Sequence, residues 1–296
     1  MIFNKKVLNT TIACILGVSA FHADAALVSL NITGSTSTTA GATTTNDSDA
    51  STTSMSAQSD AYEGSNSSYA NSRGNDTGWF YSTADGGNNF LSQSIVTQSY
   101  NVTNDSNNEQ FFDFSFEVMN GSISSSCGDS GYGYGENVGY GDGGSCSIDD
   151  FAEAEYMAQI LLNGSSIWDS QATITTDVNG STLAQSGAVF NNANLSGNYL
   201  SWSKTSFNID LGLVAANASF ILEYIVSTKV EGNLLDISTG YTSAYAQFGD
   251  PNGFSSTNNT FNSRSINNVP APAVLGLLGL GLVGLGMSRR KITTKS

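Results

Sequence analysis

The chain has 296 residues and a formal net charge of −15, from 25 acidic and 10 basic residues, with one histidine and 39% hydrophobic residues. Such an acid excess repels nucleic-acid phosphates and anionic lipid, which excludes nucleic acid as a partner. The one histidine, His22, lies near the start, so the rest of the chain has no imidazole for Ser-His-Asp or Cys-His catalysis or for a histidine-built metal site.

The first residues carry Lys5 and Lys6, residues 7–20 are mostly apolar, and an Ala23-Asp24-Ala25 triplet follows. A charged start, an apolar middle and a small-residue exit make up a secretory signal peptide, with cleavage expected after Ala25. The apolar stretch is too short and too interrupted for a first transmembrane helix. Cys14 is not read as a lipoprotein cysteine, because the apolar run continues past it and Thr11 stands three places before it.

Beyond the leader the acid excess deepens. Between the two ends the only basic residues are Arg73, Lys204, Lys229 and Arg264, against the remaining 24 acids, so the central region carries a formal −20. This favours solubility and attracts divalent cations. Residues 26–78 are rich in Ser, Thr, Asn, Ala and Gly and poor in large apolar side chains. They are expected as weak edge strands or a flexible stretch, because little surface can be buried there.

From Trp79 to residue 262 a β-domain is predicted. Val96, Tyr100 and Val102 alternate with polar residues, as do Phe112, Phe114, Phe116 and Val118. The polar run 104–108 between them reads as a turn, which predicts a hairpin. Ala154, Tyr156, Ala158, Ile160 and Leu162 share one face of another strand, and Asn163-Gly164 predicts a tight turn into a return through Trp168 and residues 172–176. Further strands are expected over 207–213, 218–230 and 241–248. In the second of these Phe220, Leu222, Tyr224 and Val226 line one face, and Ile221 and Ile225 put apolar groups on the other, which suggests a central strand. The fold class expected is all-β, a β-sandwich with the jelly roll as the specific form considered.

Several residues could carry chemistry. Asp149, Asp150, Glu153 and Glu155 are the candidates for two-carboxylate glycoside hydrolysis. The favoured reading is a solvated outer face, and no enzyme is expected. Cys127 and Cys146 can close a disulfide in an oxidising compartment. The segment between them holds Asp129, Glu136 and Asp142, oxygen ligands for a possible calcium ion, at spacings that match no EF-hand or nonapeptide repeat. A disulfide-closed loop with Tyr132, Tyr134 and Tyr140 packed locally is the simpler reading, and those tyrosines could also meet sugar rings. Trp79, Trp168 and Trp202 are scattered and expected to be buried or half-buried.

After a linker over 263–268 comes Val269-Pro270-Ala271-Pro272, an apolar Gly-rich run over 273–287, the cluster Arg289-Arg290-Lys291, and a short tail at 293–296. As a helix the run would span about 22 Å, short of a bilayer core of about 30 Å, so it suits a transient anchor. The basic cluster would hold its end on the cytoplasmic side. A plain single-pass anchor is the alternative. The segment 269–292 resembles the PEP-CTERM sorting signal of Gram-negative bacteria, with Ala271 where the usual form has Glu. That resemblance implies recognition by an exosortase, a membrane cysteine transpeptidase that cuts near the prolines and transfers the chain to a surface acceptor. It also implies a link to exopolysaccharide and biofilm. The expected function is therefore an exported surface protein with a structural or adhesive role, and the alternative is a calcium- or carbohydrate-binding module.

Overall fold

A computed structural model describes residues 27–128, 146–235, 240–249 and 259–265. The expected signal peptide and C-terminal helix lie outside them. The described residues form strands and no helix. The chain begins with β1 (Leu27–Ala40) and β2 (Thr43–Ser51), a hairpin, then β3 (Ser54–Glu63), β4 (Asn66–Asn75) and β5 (Phe80–Gly87), a meander. β6 (Phe90–Thr103) returns beside β1, and β7 (Gln110–Val118) leads into β8 (Gly121–Gly128). A second meander holds β9 (Phe151–Leu162), β10 (Ser165–Asp177) and β11 (Gly180–Gly187). Then come β12 (Asn194–Ser196), β13 (Tyr199–Trp202), β14 (Thr205–Val214), β15 (Ser219–Asn233), β16 (Tyr241–Gly249) and β17 (Thr260–Ser265).

These make three antiparallel sheets: β11-β10-β9-β15-β6-β1-β2, β12-β13-β8-β16-β5-β4-β3, and β14-β7-β17. The first sheet is one layer. The second and third lie end to end against it, because the neighbours β13, β8 and β16 of the second connect along the chain to the neighbours β14, β7 and β17 of the third. Two of these breaks, at Met119-Asn120 and Ser203-Lys204, sit side by side, and Trp202 Nε1 donates to Met119 O at 3.0 Å beside them. The result is face-to-face sheet packing. With seven, seven and three strands it departs from the eight-stranded jelly roll.

The interior has two characters. Around the third sheet it is aromatic: Phe116 meets Trp168, Phe207 and Tyr224 at centroid distances of 5.0, 5.3 and 5.2 Å. Phe248 likewise touches Phe80, Tyr156, Phe190 and Trp202. Such ring pairs add about 0.5–1.5 kcal/mol each beyond area burial. Between β4 and β5 on one side and β1, β6 and β15 on the other, buried hydroxyls are set among Ile32, Ala84, Phe90 and Val230. Ser82 Oγ meets Ser94 Oγ at 2.8 Å and Thr228 Oγ1 at 2.9 Å, and Ser68 Oγ meets Ser92 Oγ, all buried. Hydroxyls paired across the layers avoid the cost of unsatisfied burial.

Residues 27–75, poor in large apolar groups, thus form four strands built into both layers. β1 is bonded along its length to β6 and β4 to β5, so both ladders cross residue 78, and β1 lies inside its sheet rather than at an edge. The expected hairpin of β6 with β7 does not form. β6 pairs with β1 and β15, and β7 pairs with β14 and β17. The intervening polar run does turn, held by Asn104 Nδ2 donating to Asn108 O and to Val214 O, but it moves the chain between layers.

The Asn163-Gly164 turn joins β9 and β10 as expected, with φ of 50° and 80°. Positive φ at both central residues is the turn that matches strand twist. Asn163 Oδ1 also accepts from Ile221 N at 3.0 Å, tying the turn to β15. β15 is the middle strand of its sheet, with Phe220, Leu222, Tyr224 and Val226 buried. The sequence put apolar residues on its second face, yet Ile221 is 48% exposed there, because among the described residues no layer covers the outside of the first sheet. β17 runs to Ser265, into the stretch read as linker.

Both chain ends of this body leave at one pole. Leu27 pairs with Thr103 and Ser265 with Gln110, and Thr103 and Gln110 are joined by the short turn held by Asn104. Cys127 lies at the opposite pole, opposite Thr242 of β16 near the end of β5.

Candidate functional site

Along β9, Ala152, Ala154 and Tyr156 face the core, so Glu153 and Glu155 point outward. The register sets Glu155 opposite Lys229 and Glu153 opposite Glu231 on β15. Lys229 Nζ bonds Glu231 Oε2 at 2.9 Å. That bond raises the lysine pKa above its ordinary value; partial burial opposes the shift, and the charges of Glu231, Glu153 and Glu155 add to it. From β10, Gln171 Nε2 donates to Glu155 Oε1 at 2.8 Å and Thr175 Oγ1 to Glu153 Oε2 at 2.9 Å. The two glutamates are thus held by neighbours on an open sheet face.

Asp149 and Asp150 play a different part. Asp150 is buried and its Oδ1 accepts from Leu235 N at 2.9 Å, while Asp149 O accepts from Asn233 Nδ2. Both tie the start of β9 to the end of β15. The four carboxylates do not converge on one cleft, and among the described residues no three His, Cys, Asp or Glu side chains gather as a metal site.

Cys127 and Cys146 are joined, with 5.2 Å between their Cα atoms, and both are buried. Their loop residues Asp129, Glu136, Asp142, Tyr132, Tyr134 and Tyr140 lie outside the described residues, as do Ala23, Ala25, Val269, Pro270, Ala271, Pro272, Arg289, Arg290 and Lys291. Trp202 is buried, Trp168 packs on the core, and Trp79 is half-buried.

Two arrangements escaped the sequence reading. On the outer face of the second sheet, Asp60, Tyr69, Asp85, Tyr245, Ser124 and Tyr199 stand in one cross-strand row. Burial raises the Asp85 pKa, and its hydrogen bond with the Gly86 backbone counters this. Only the strand order brings these residues together, and their spacing along the chain holds no sign of it. At the edges of the layers, Asp49 Oδ2 accepts from Ser56 N and Asp47 Oδ2 from Gln58 N, both at 2.9 Å. Thr45 Oγ1 donates to Asp60 O, and Ala42 N donates to the Glu63 carboxylate. The aspartates of β2 thereby bind the free amides of β3. Alternating acids in a polar strand, at Asp47 and Asp49, were the available signal.

Residues 268–291 match the model of the PEP-CTERM protein-sorting motif. No curated protein matches the chain. The motif implies an exported, membrane-associated protein of a Gram-negative bacterium, sorted by an exosortase.

Proposed function

We propose that this chain, bearing a PEP-CTERM protein-sorting motif, enters export by a signal peptide cleaved after Ala25. The apolar run at 273–287 then holds it briefly in the membrane, and an exosortase-type transpeptidase cuts it near Val269-Pro270-Ala271-Pro272. The β body remains at the outer surface as a non-enzymatic structural or adhesive component of an exopolysaccharide matrix. The observation that carries this reading is the motif match over 268–291. Supporting it are the Cys127–Cys146 disulfide, which suits an oxidising compartment, and the dispersal of the four candidate carboxylates over an open face and a strand junction.

The test is the intact mass of the protein recovered from the cell surface. The expected chain starts at Ala26 and ends near Pro270, with the apolar run gone or replaced by an acceptor. A chain that retains Arg289 to Ser296 is a plain membrane anchor and ends the sorting reading.

The tyrosine–carboxylate row on the second sheet favours one further reading, a carbohydrate-binding face, since aromatic rings with interleaved polar groups suit sugar recognition. Retention on immobilised exopolysaccharide that falls at least tenfold in Tyr69→Ala would support it. Equal retention of both proteins would remove it.

A further inference from the structure

We propose that the β11 side of the molecule is a self-association edge, at which β11 of one copy pairs antiparallel with β11 of a second copy. Among the described residues the strand is at the end of the first sheet, bonded to β10 alone, and all of it except Leu183 is exposed. Between Asp177 and Lys204 the sequence contains no charged residue, in a chain with 25 acids. That stretch forms β11, β12 and β13, the ends of both seven-stranded sheets on one side of the molecule. It also exposes apolar groups: Val178 by 46%, Val189 by 69% and Leu195 by 49%.

The other side shows what a guarded edge looks like here. There the free amides of Ser56 and Gln58 are taken by Asp49 and Asp47, and the strands carry acids. Proteins commonly protect edge strands with charge, proline, bulges or short length. β11 has eight residues with no charge and no proline, and its ladder to β10 runs without a register shift. Its outer backbone groups form a template for another strand.

Charge selects the occupant. Two copies of a region carrying a formal −20 repel one another over most of their surfaces. The uncharged strand β11, flanked on β10 by Asp169 and Asp177, is where like copies approach with less of that cost. An antiparallel strand pair between identical segments obeys a two-fold axis and closes as a dimer, joining the two seven-stranded sheets into one. The exposed valines and Leu195 flank the seam. This pairing is independent of how the chain reaches the surface.

The test is sedimentation velocity of the full chain, disulfide intact, in a detergent that covers the apolar run at 273–287. The unaltered chain is expected to sediment as two copies. Thr182→Lys combined with Ser186→Lys, both exposed on β11, should halve the apparent mass, and Asn46→Lys on β2 should leave it unchanged. A one-copy boundary for the unaltered chain overturns the proposal and leaves β11 to a strand of some other protein. A two-copy boundary that survives the β11 lysines, or is lost equally in the β2 control, also overturns it. Should the double variant fail to fold, hydrogen exchange of the unaltered chain decides. Amide protection across Ser181–Ser186 must fall on dilution, and protection independent of concentration refutes the pairing.

Discussion

The ring of Phe90 occupies the space that a side chain on Gly86 would need: a Cβ built there would lie 2.1 Å from Phe90 Cδ2. The same ring leaves no room at Gly232, where a Cβ would lie 2.2 Å from Phe90 Cε1. One aromatic group is thus seated over two glycines, one from each layer. Gly86→Ala should cost about 1–3 kcal/mol by overpacking. Trimming the ring in Phe90→Leu should recover part of that loss when the two are combined. Urea unfolding of both single variants and the double one checks it, and strictly additive losses would argue against the contact.

Tyr100 and Tyr224 limit alkaline stability. Burial pushes the Tyr100 pKa up to about 12, partly offset by its hydrogen bond from Asn259, and burial with the nearby Tyr100 raises Tyr224 well above its ordinary value. In the unfolded chain a tyrosine titrates near 10. Their contribution is therefore complete below about pH 10 and is lost as pH climbs from there through the folded values. Unfolding free energy should be level near neutrality and fall above about pH 10 by roughly 1.4 kcal/mol per pH unit for each tyrosine.

Tyr224 has a second property. Its hydroxyl is buried without a hydrogen-bond partner. Tyr224→Phe should therefore change stability at pH 7 by less than about 1 kcal/mol, or raise it, and flatten the alkaline decline. Tyr100→Phe should cost about 1 kcal/mol or more at pH 7, because it removes the bonds to Gln98 and Asn259. Thermal unfolding at pH 7 and pH 11 separates the two.

The aspartate clamp on β3 should be visible amide by amide. In Asp47→Ala combined with Asp49→Ala, the backbone N–H groups of Gln58 and Ser56 lose their acceptors. Their hydrogen exchange should accelerate at least tenfold, while amides of β9 and β15 stay protected. The stability loss should be about 1 kcal/mol per bond, since the carboxylates are exposed.

Reduction of Cys127–Cys146, which closes a sequence separation of 19, should cost about 3 kcal/mol in the chain-entropy account. Unfolding midpoints with and without reductant measure it. Equal midpoints would mean that the two thiols are held in place by packing alone.

The sequence made the strongly alternating strands legible, because a strand with one apolar face writes a two-residue period. β7, β9 and the β15 face with Phe220, Leu222, Tyr224 and Val226 are of that kind. β1 to β4 were harder to read, since their inward positions include Thr36, Thr38, Ser68 and Ser72, and a buried hydroxyl such as that of Ser68, bonded across the layers to Ser92, looks the same in a sequence as one bonded to water. The partners of β7 were hidden for another reason. Phe112, Phe114 and Phe116 show that one face is buried, but the break after Met119 that places β7 in its own sheet lies where Trp202, far along the chain, donates to Met119 O. Among the candidate carboxylates, the outward direction of Glu153 and Glu155 followed from the pattern, and the tie between Asp150 and Leu235 did not.

β17 descends toward Ser265 at the pole where the chain also enters, and its ladder partner β7 runs the opposite way. Were the protein held at the surface through residues beyond Ser265, as proposed above, a pull that reaches Ser265 from that pole would act along the axis of β17. Force in that direction loads the rungs between Thr260 and Ser265 in shear, so they share it and fail together. A tail leaving from the pole of Cys127 would be drawn back across the ladder and peel it one rung at a time. Under such a load the six residues of β17 would resist drag better than their number suggests.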